Sequence, residues 1–295
     1  MSSPKSRTEL LFADTSVCIA RLLHAPSQRK KIEATWASYR VVSGLVSRQE
    51  FKRRVLKDAK YLIDQLDTKG GFEETFHYMN RLRTNKFHSR RASICISLMA
   101  GVTGESDGDK ADRLRAKLHR LLTTGTAMFD AWLDRLVKES GCECGRANVR
   151  QVHRRDRLIY EVGPEECSKL PEGVCAVGKF SATQRERAKA VLDYLRALPD
   201  EKKTNELREI ERYLADTESA PEMAGKHDPC LKVGDLLIAL ESAAAGAKTF
   251  YTMNSRESLH LCRVLGQTLI IRPIDGQAED VICPGNDPGS WPPFK

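Results

Sequence analysis

What the sequence lacks narrows it first. No run approaches the ~20 consecutive apolar residues that a membrane span needs. The opening stretch MSSPKSRTEL carries a little charge but no apolar segment, so it does not read as a secretory signal. No Ser-His-Asp order, glycine-rich phosphate loop or HExxH sequence is present, and there is no internal repeat. These absences lead to the expectation of a soluble, cytoplasmic protein with no membrane partner. Acids are the minority charge: 40 Asp and Glu stand against 48 Lys and Arg, a formal balance of +8. That balance suits a polyanion such as a nucleic acid, although charge of this size often serves solubility alone.

What is present is enough for a core. The 295 residues are 41% hydrophobic and 30% charged, a globular profile that excludes a disordered chain. The length allows one large domain or two ordinary ones. Nine cysteines are an odd number, and without an export signal a disulfide framework is not expected. Cys18, Cys95, Cys230, Cys262 and Cys283 are scattered, whereas Cys142, Cys144, Cys167 and Cys175 are clustered. Clustered thiols in a reducing compartment point to a metal.

Strand and helix signals alternate at both ends of the chain. Leu10 to Ala13 reads as a buried strand stopping at Asp14, and Arg40 to Ser43 as a second. Helices are expected from Val17 to about His24 and from a Ser27 cap to about Tyr39. Ser47 is placed to cap a long helix carrying Glu50, which Gly70-Gly71 ends. Phe72 to Met99 and Asp109 to Lys138 follow as helical stretches, the latter with leucines at three- and four-residue spacing. Two further helices lie between Ser181 and Asp216, and a linker from Ser219 to Asp228. Helix, strand, helix and strand then occupy 233–271, and the Gly- and Pro-bearing tail from Asp275 reads as extended. Such alternation favours an α/β fold with a parallel sheet. The divisions are 8–71 and 228–273 for the two parts of the core, 72–227 for a helical, cysteine-bearing insertion, and 274–295 for the tail.

Sites in a parallel sheet form beyond the carboxyl ends of its strands. Asp14, Glu50, Asp235, Asn254 and Glu257 all fall at that edge in this reading. Carboxylates held together repel one another unless cations bind between them. Oxygen ligands of this kind suit Mg²⁺ or Mn²⁺, which can activate water against a phosphodiester. Taken singly, Asp14 is also a natural helix cap, and Glu50 and Asp235 are ordinary solvated helix residues.

The combination resembles the PIN-domain nucleases. The resemblance rests on Phe-Ala-Asp14-Thr15-Ser16, on Glu50 in the helix after Val-Val-Ser43, and on Gly234-Asp235-Leu-Leu-Ile238-Ala239. It rests also on the run Gly246 to Glu257, and it spans residues 8–66 and 228–273. It implies a PIN-like parallel-sheet core with flanking helices, and a metal-dependent endonuclease hydrolysing phosphodiester bonds of RNA or DNA, with RNA the favoured partner. It further implies Asp14, Glu50 and Asp235 as Mg²⁺ or Mn²⁺ ligands, Thr15 or Ser16 in support of the first acid, and Asn254 with Glu257 near a fourth ligand position. The family's last acid is usually Asp followed by Phe, where this chain has Glu257-Ser258. That departure sustains a second reading, an inactive PIN-like scaffold that binds nucleic acid within a larger complex. A homo-oligomer or a regulatory protein partner is left open.

Two basic runs could hold a phosphate backbone. One contains Arg83, Arg90 and Arg91; the other contains Arg150, Arg154, Arg155 and Arg157 against a single acid, Asp156. Arg83-x4-His88 has the spacing of HEPN-type ribonucleases, but similar pairs recur by chance in so basic a chain. The second run lies between the cysteine pairs. Cys142-Glu-Cys144, flanked by glycines, and Cys167-x7-Cys175 enclose an alternating hairpin, the order of a zinc ribbon with four thiolates around a structural Zn²⁺.

Overall fold

The computed structural model describes residues 9–142, 148–154, 157–163, 175–220, 229–274 and 278–285. The first part contains β1 (Leu10–Ala13), α1 (Thr15–Leu23), α2 (Pro26–Trp36), β2 (Arg40–Gly44) and α3 (Leu45–Phe51). A π-helical turn (Lys52–Leu56) carries α3 on into α4 (Lys57–Lys69). Next come α5 (Phe72–Arg83), α6 (Ser89–Met99), α7 (Asp107–Ala131), β3 (Arg135–Val137), β4 (Val149–Arg154) and β5 (Arg157–Val162). Then follow α8 (Ala176–Thr183), α9 (Arg185–Ala197), α10 (Asn205–Ser219) and α11 (Pro229–Lys232). The chain closes with α12 (Gly234–Ala244), β6 (Thr249–Thr252), α13 (Ser255–Val264), β7 (Thr268–Ile271) and β8 (Val281–Cys283).

The fold is α/β. Six strands form one sheet in the order β3-β2-β1-β6-β7-β8. All neighbours are parallel except β8, which returns antiparallel along β7. Strand alternation sorts side chains to two faces. Leu11, Ala13, Val41, Tyr251 and Ile270 join one core, with α1, α2 and α4 to α7. Phe12, Val42, Phe250 and Leu269 join the other, with α9, α10, α12 and α13. Phe12 and Phe250 stack across β1 and β6 with centroids 5.6 Å apart.

Several boundaries differ from the sequence reading, each for a local reason. The stretch Asp109 to Lys138 is not one helix. Ser106 caps α7 by accepting from the Asp109 amide, and the helix stops at Ala131. Asp134 then exchanges two hydrogen bonds with Val41, through its own amide (2.8 Å) and its carboxylate (2.7 Å), which seats β3 beside β2. Segment 72–227 thus gives the sheet an edge strand. Pro26, not Ser27, opens α2, since a first-turn proline forfeits no hydrogen bond. Phe72 to Met99 breaks into α5 and α6 at a turn, which leaves Arg83 at the end of α5 and His88 in the turn before α6 rather than both on one helix face. Ser47 caps nothing: α3 begins at Leu45, after Gly44. The tail returns as β8.

β4 and β5 form the expected antiparallel hairpin, in register from Val149 opposite Val162 to Arg154 opposite Arg157. Tyr160 anchors it, buried and hydrogen-bonded through its hydroxyl to His119 Nδ1 on α7 at 2.8 Å. Among the described residues no helix is long and apolar enough to cross a membrane.

Candidate active site

The sheet reverses its winding at β1. From there the chain moves outward through β2 and β3, and later returns to the other side through β6 and β7. Such a switch point opens a crevice at the carboxyl ends of the two strands that flank it. β1 ends into Asp14 and β6 ends at Thr252, so these two residues face each other across the opening.

Asp14 is held tightly. It caps α1, accepting from the Thr15 amide at 2.7 Å and the Ser16 amide at 3.4 Å. The same carboxylate accepts the Ser16 hydroxyl at 2.6 Å and the Thr252 hydroxyl at 2.8 Å. Ser16 Oγ in turn accepts from the Met253 amide, and Thr252 Oγ1 from the Asn254 amide. The two loops are therefore stitched together through one acid. Burial pushes the Asp14 carboxyl up, and Glu50 pushes it the same way; the bonds from Ser16, Thr252 and Thr15 oppose both. The cap reading and the ligand reading of Asp14 are compatible, because a cap uses only some of the lone pairs.

Asp235 stands in the first turn of α12. This helix runs back toward the base of β6, so its start lies at the carboxyl edge of the sheet. Its carboxyl is pushed up to about 7, first by burial, then by Asp14, Glu50 and Glu257, with Arg54 pulling down. Asn254 donates its amide to Asp235 at 3.3 Å. Glu257, buried in the first turn of α13, accepts the Thr204 hydroxyl at 2.9 Å. Thr204 meanwhile caps α10.

Glu50 is buried near the end of α3 and pairs with Arg54, one turn on, while Arg53 approaches to 3.8 Å. Arg90 on α6 is close enough to feel Arg54, Arg53 and Glu50. Sequence inspection missed Arg54, although its i,i+4 spacing from Glu50 was visible. Thr252 was missed as a partner of Asp14. The π-helical turn that separates Glu50 from α4 left no signal in the sequence.

These residues meet at one edge with all-oxygen donors, the chemistry that Mg²⁺ and Mn²⁺ take. In the present side-chain arrangement, however, no three Asp, Glu, His or Cys side chains among the described residues stand within reach of one ion. The partners explain why: Asp14 faces hydroxyls, Glu50 faces Arg54, and Asp235 faces Asn254. Donor chemistry fits a divalent cation; Glu50 can turn to one only by leaving its arginine.

A buried acid that the sequence did not single out supports this edge. Glu241 on α12 accepts from the Leu45 amide (3.1 Å), the Val46 amide (3.2 Å) and the Ser140 hydroxyl (2.5 Å). It caps α3 from across the fold, filling the place a side chain on Gly44 would need: a Cβ there would lie 1.7 Å from Glu241 Oε2. Burial pushes its carboxyl up to about 7 despite these bonds. Glu241 thereby fixes the helix of Glu50 to the helix of Asp235.

Of the other expected residues, Arg150 is exposed on β4, and Arg83 is exposed at the end of α5. Arg91 pairs with Asp58 at 3.0 Å and covers the Tyr61 ring at 4.9 Å. Arg155 lies outside the described residues, as do Cys144 and Cys167. Cys142 is buried in the second core, with Cys175 packed against the same cluster. Their segments touch, since a Cβ on Gly141 would lie 3.2 Å from that of Ala176. Comparison with protein-family models, curated proteins and solved structures returned no match.

Proposed function

We propose that this chain is a PIN-like, metal-dependent endonuclease hydrolysing phosphodiester bonds of RNA or DNA. The observation that carries the reading is the gathering of Asp14, Glu50, Asp235 and Glu257 at the β1–β6 switch point, where each raises the charge burden on Asp235. Buried acids of one sign are costly to keep without a cation between them. Asp14, Glu50 and Asp235 would hold Mg²⁺ or Mn²⁺, with Asn254 and Glu257 beside it. The ion supplies Lewis acidity toward a phosphodiester and toward water. Thr15, Ser16 and Thr252 keep the Asp14 carboxylate in one orientation. Arg53, Arg54 and Arg90 present positive charge at the rim, where a phosphate backbone would arrive. A four-thiolate Zn²⁺ site at Cys142, Cys144, Cys167 and Cys175 belongs to the same proposal, as the anchor of the arginine hairpin.

The test is cleavage of end-labelled RNA and DNA with Mg²⁺ or Mn²⁺. Activity lost in EDTA and in Asp14→Asn supports the reading; undiminished activity in either sinks it. The Glu50–Arg54 pair favours a second reading, since an arginine already neutralises one acid. In that case the chain binds nucleic acid without cutting it, and Mn²⁺ titration gives no binding heat.

A further inference from the structure

At the far end of α1 from Asp14, nine residues and ~13 Å along the helix, lies a groove unrelated to the acids. It has a volume of about 790 Å³, within the range of small-molecule sites. Its walls are the α1–α2 corner, the end of α6 and one stripe of α7. Leu22, Leu23, Leu98 and Leu121 supply apolar lining. The α7 stripe is graded. Lys117 and Arg120 stand toward its start, and Ala127, Met128 and Ala131 toward its end. Arg29 on α2 is near enough to Lys117 to repel its charge, and Arg120, three residues on along α7, lines the same groove. No carboxylate lines the groove, and no acid among the described residues forms an ion pair with Arg29, Lys117 or Arg120. Elsewhere arginines and lysines find acids, as Arg21 does with Glu33, Arg91 with Asp58 and Arg115 with Asp67.

From this geometry we infer that the groove binds a free long-chain aliphatic carboxylate, its head among Arg29, Lys117 and Arg120 and its tail along Ala127, Met128 and Ala131. Two donors of the Lys117 ammonium are spent on the Leu98 and Ala100 carbonyls, at 2.6 and 3.4 Å, which holds the side chain in place. The third remains for a carboxylate oxygen. Arg29 gives its Nε–H to the His24 carbonyl at 2.9 Å, and its two terminal nitrogens are left for the ligand. A carboxylate relieves repulsion among three like charges, and its chain covers apolar surface that water now wets. A cationic or neutral amphiphile gains only the second term. The inference is independent of nuclease activity.

The experiment is calorimetric titration of the full chain with dodecanoate, and in parallel with dodecyltrimethylammonium, below the micelle concentration of each. One dodecanoate per chain is expected, with binding weakened about tenfold or more in Arg29→Ala/Arg120→Ala, the scale of a lost charged hydrogen bond. Ala127 is exposed, so Ala127→Trp should fold, fill the groove and abolish binding. Circular dichroism checks the fold of each variant, and the arginine pair decides alone if the tryptophan variant fails to fold. No dodecanoate binding to the unaltered chain, undiminished binding in the arginine variant, or equal binding of the ammonium would overturn the inference.

Discussion

At the scale of single residues, Asp14 is held by four hydrogen bonds to its carboxylate, which makes it informative to change. Asparagine keeps one of the two acceptor oxygens, either the one that takes the Thr15 amide or the one that takes the Ser16 and Thr252 hydroxyls, and forfeits the charge. Asp14→Asn should reduce Mn²⁺-dependent cleavage by at least about a hundredfold, while the melting temperature stays within a few degrees. Arg54 competes for Glu50. Arg54→Gln should tighten Mn²⁺ binding by roughly two- to fivefold, the worth of a part-exposed ion pair, as read by calorimetry. Asp235 sets the pH response. Its carboxyl titrates near 7, so a cation must displace its proton below that point. Mn²⁺ affinity should fall about tenfold for each pH unit below 7 and level off above it; a flat profile from pH 5 to 8 contradicts the assignment.

Among elements, the junction of β2 with α3 is where local sequence said least. Ser47 looked like the cap, yet its hydroxyl is buried inside the helix and the cap is Glu241, nearly 200 positions away. No periodicity reports a side chain that closes another helix. Glu241→Ala should cost about 2–4 kcal/mol by chemical denaturation, since it opens a cavity and strips two amides of their acceptor. Glu241 also ties stability to pH. Its carboxyl is raised from 4.5 to about 7 in the fold, so the folded state holds the proton longer than the unfolded chain does. The stability it lends is full below about 4.5 and is lost as pH rises through 7, at no more than ~1.4 kcal/mol per unit. The metal-free chain should lose stability over that window, and Glu241→Gln should flatten the loss. Other elements were legible where patterning was strong: LLFA, TFYT and TLII are buried strands, and Asp14 and Asp235 sit where their strand and helix signals placed them. β3 was hidden because three residues carry no period, and its place beside β2 depends on Asp134, whose role is tertiary.

On the scale of the whole molecule, the acid edge and the basic hairpin should act together on a polyanion. Arg154→Ala/Arg155→Ala should lower the slope of log affinity for RNA against log salt by about one unit per lost phosphate contact, measured by filter binding. An unchanged slope returns those arginines to a solubility role. Elemental analysis should find zinc in equal amount to the chain if the cysteine pairs hold it; a zinc-free, folded protein refutes that assignment. The sheet's order also has a consequence for synthesis. β1 is made first and lies between β2 and β6, with Leu11 beside Thr249. At ~5–20 residues per second, roughly 10–50 s pass on the ribosome between these partners. For that interval β1 has one open, apolar edge, a template for wrong strand pairing that a holding chaperone would have to cover. Asp235 and Asn254 also emerge late, so a chain left unfinished by a stalled ribosome carries Asp14 and Glu50 but no completed acid edge.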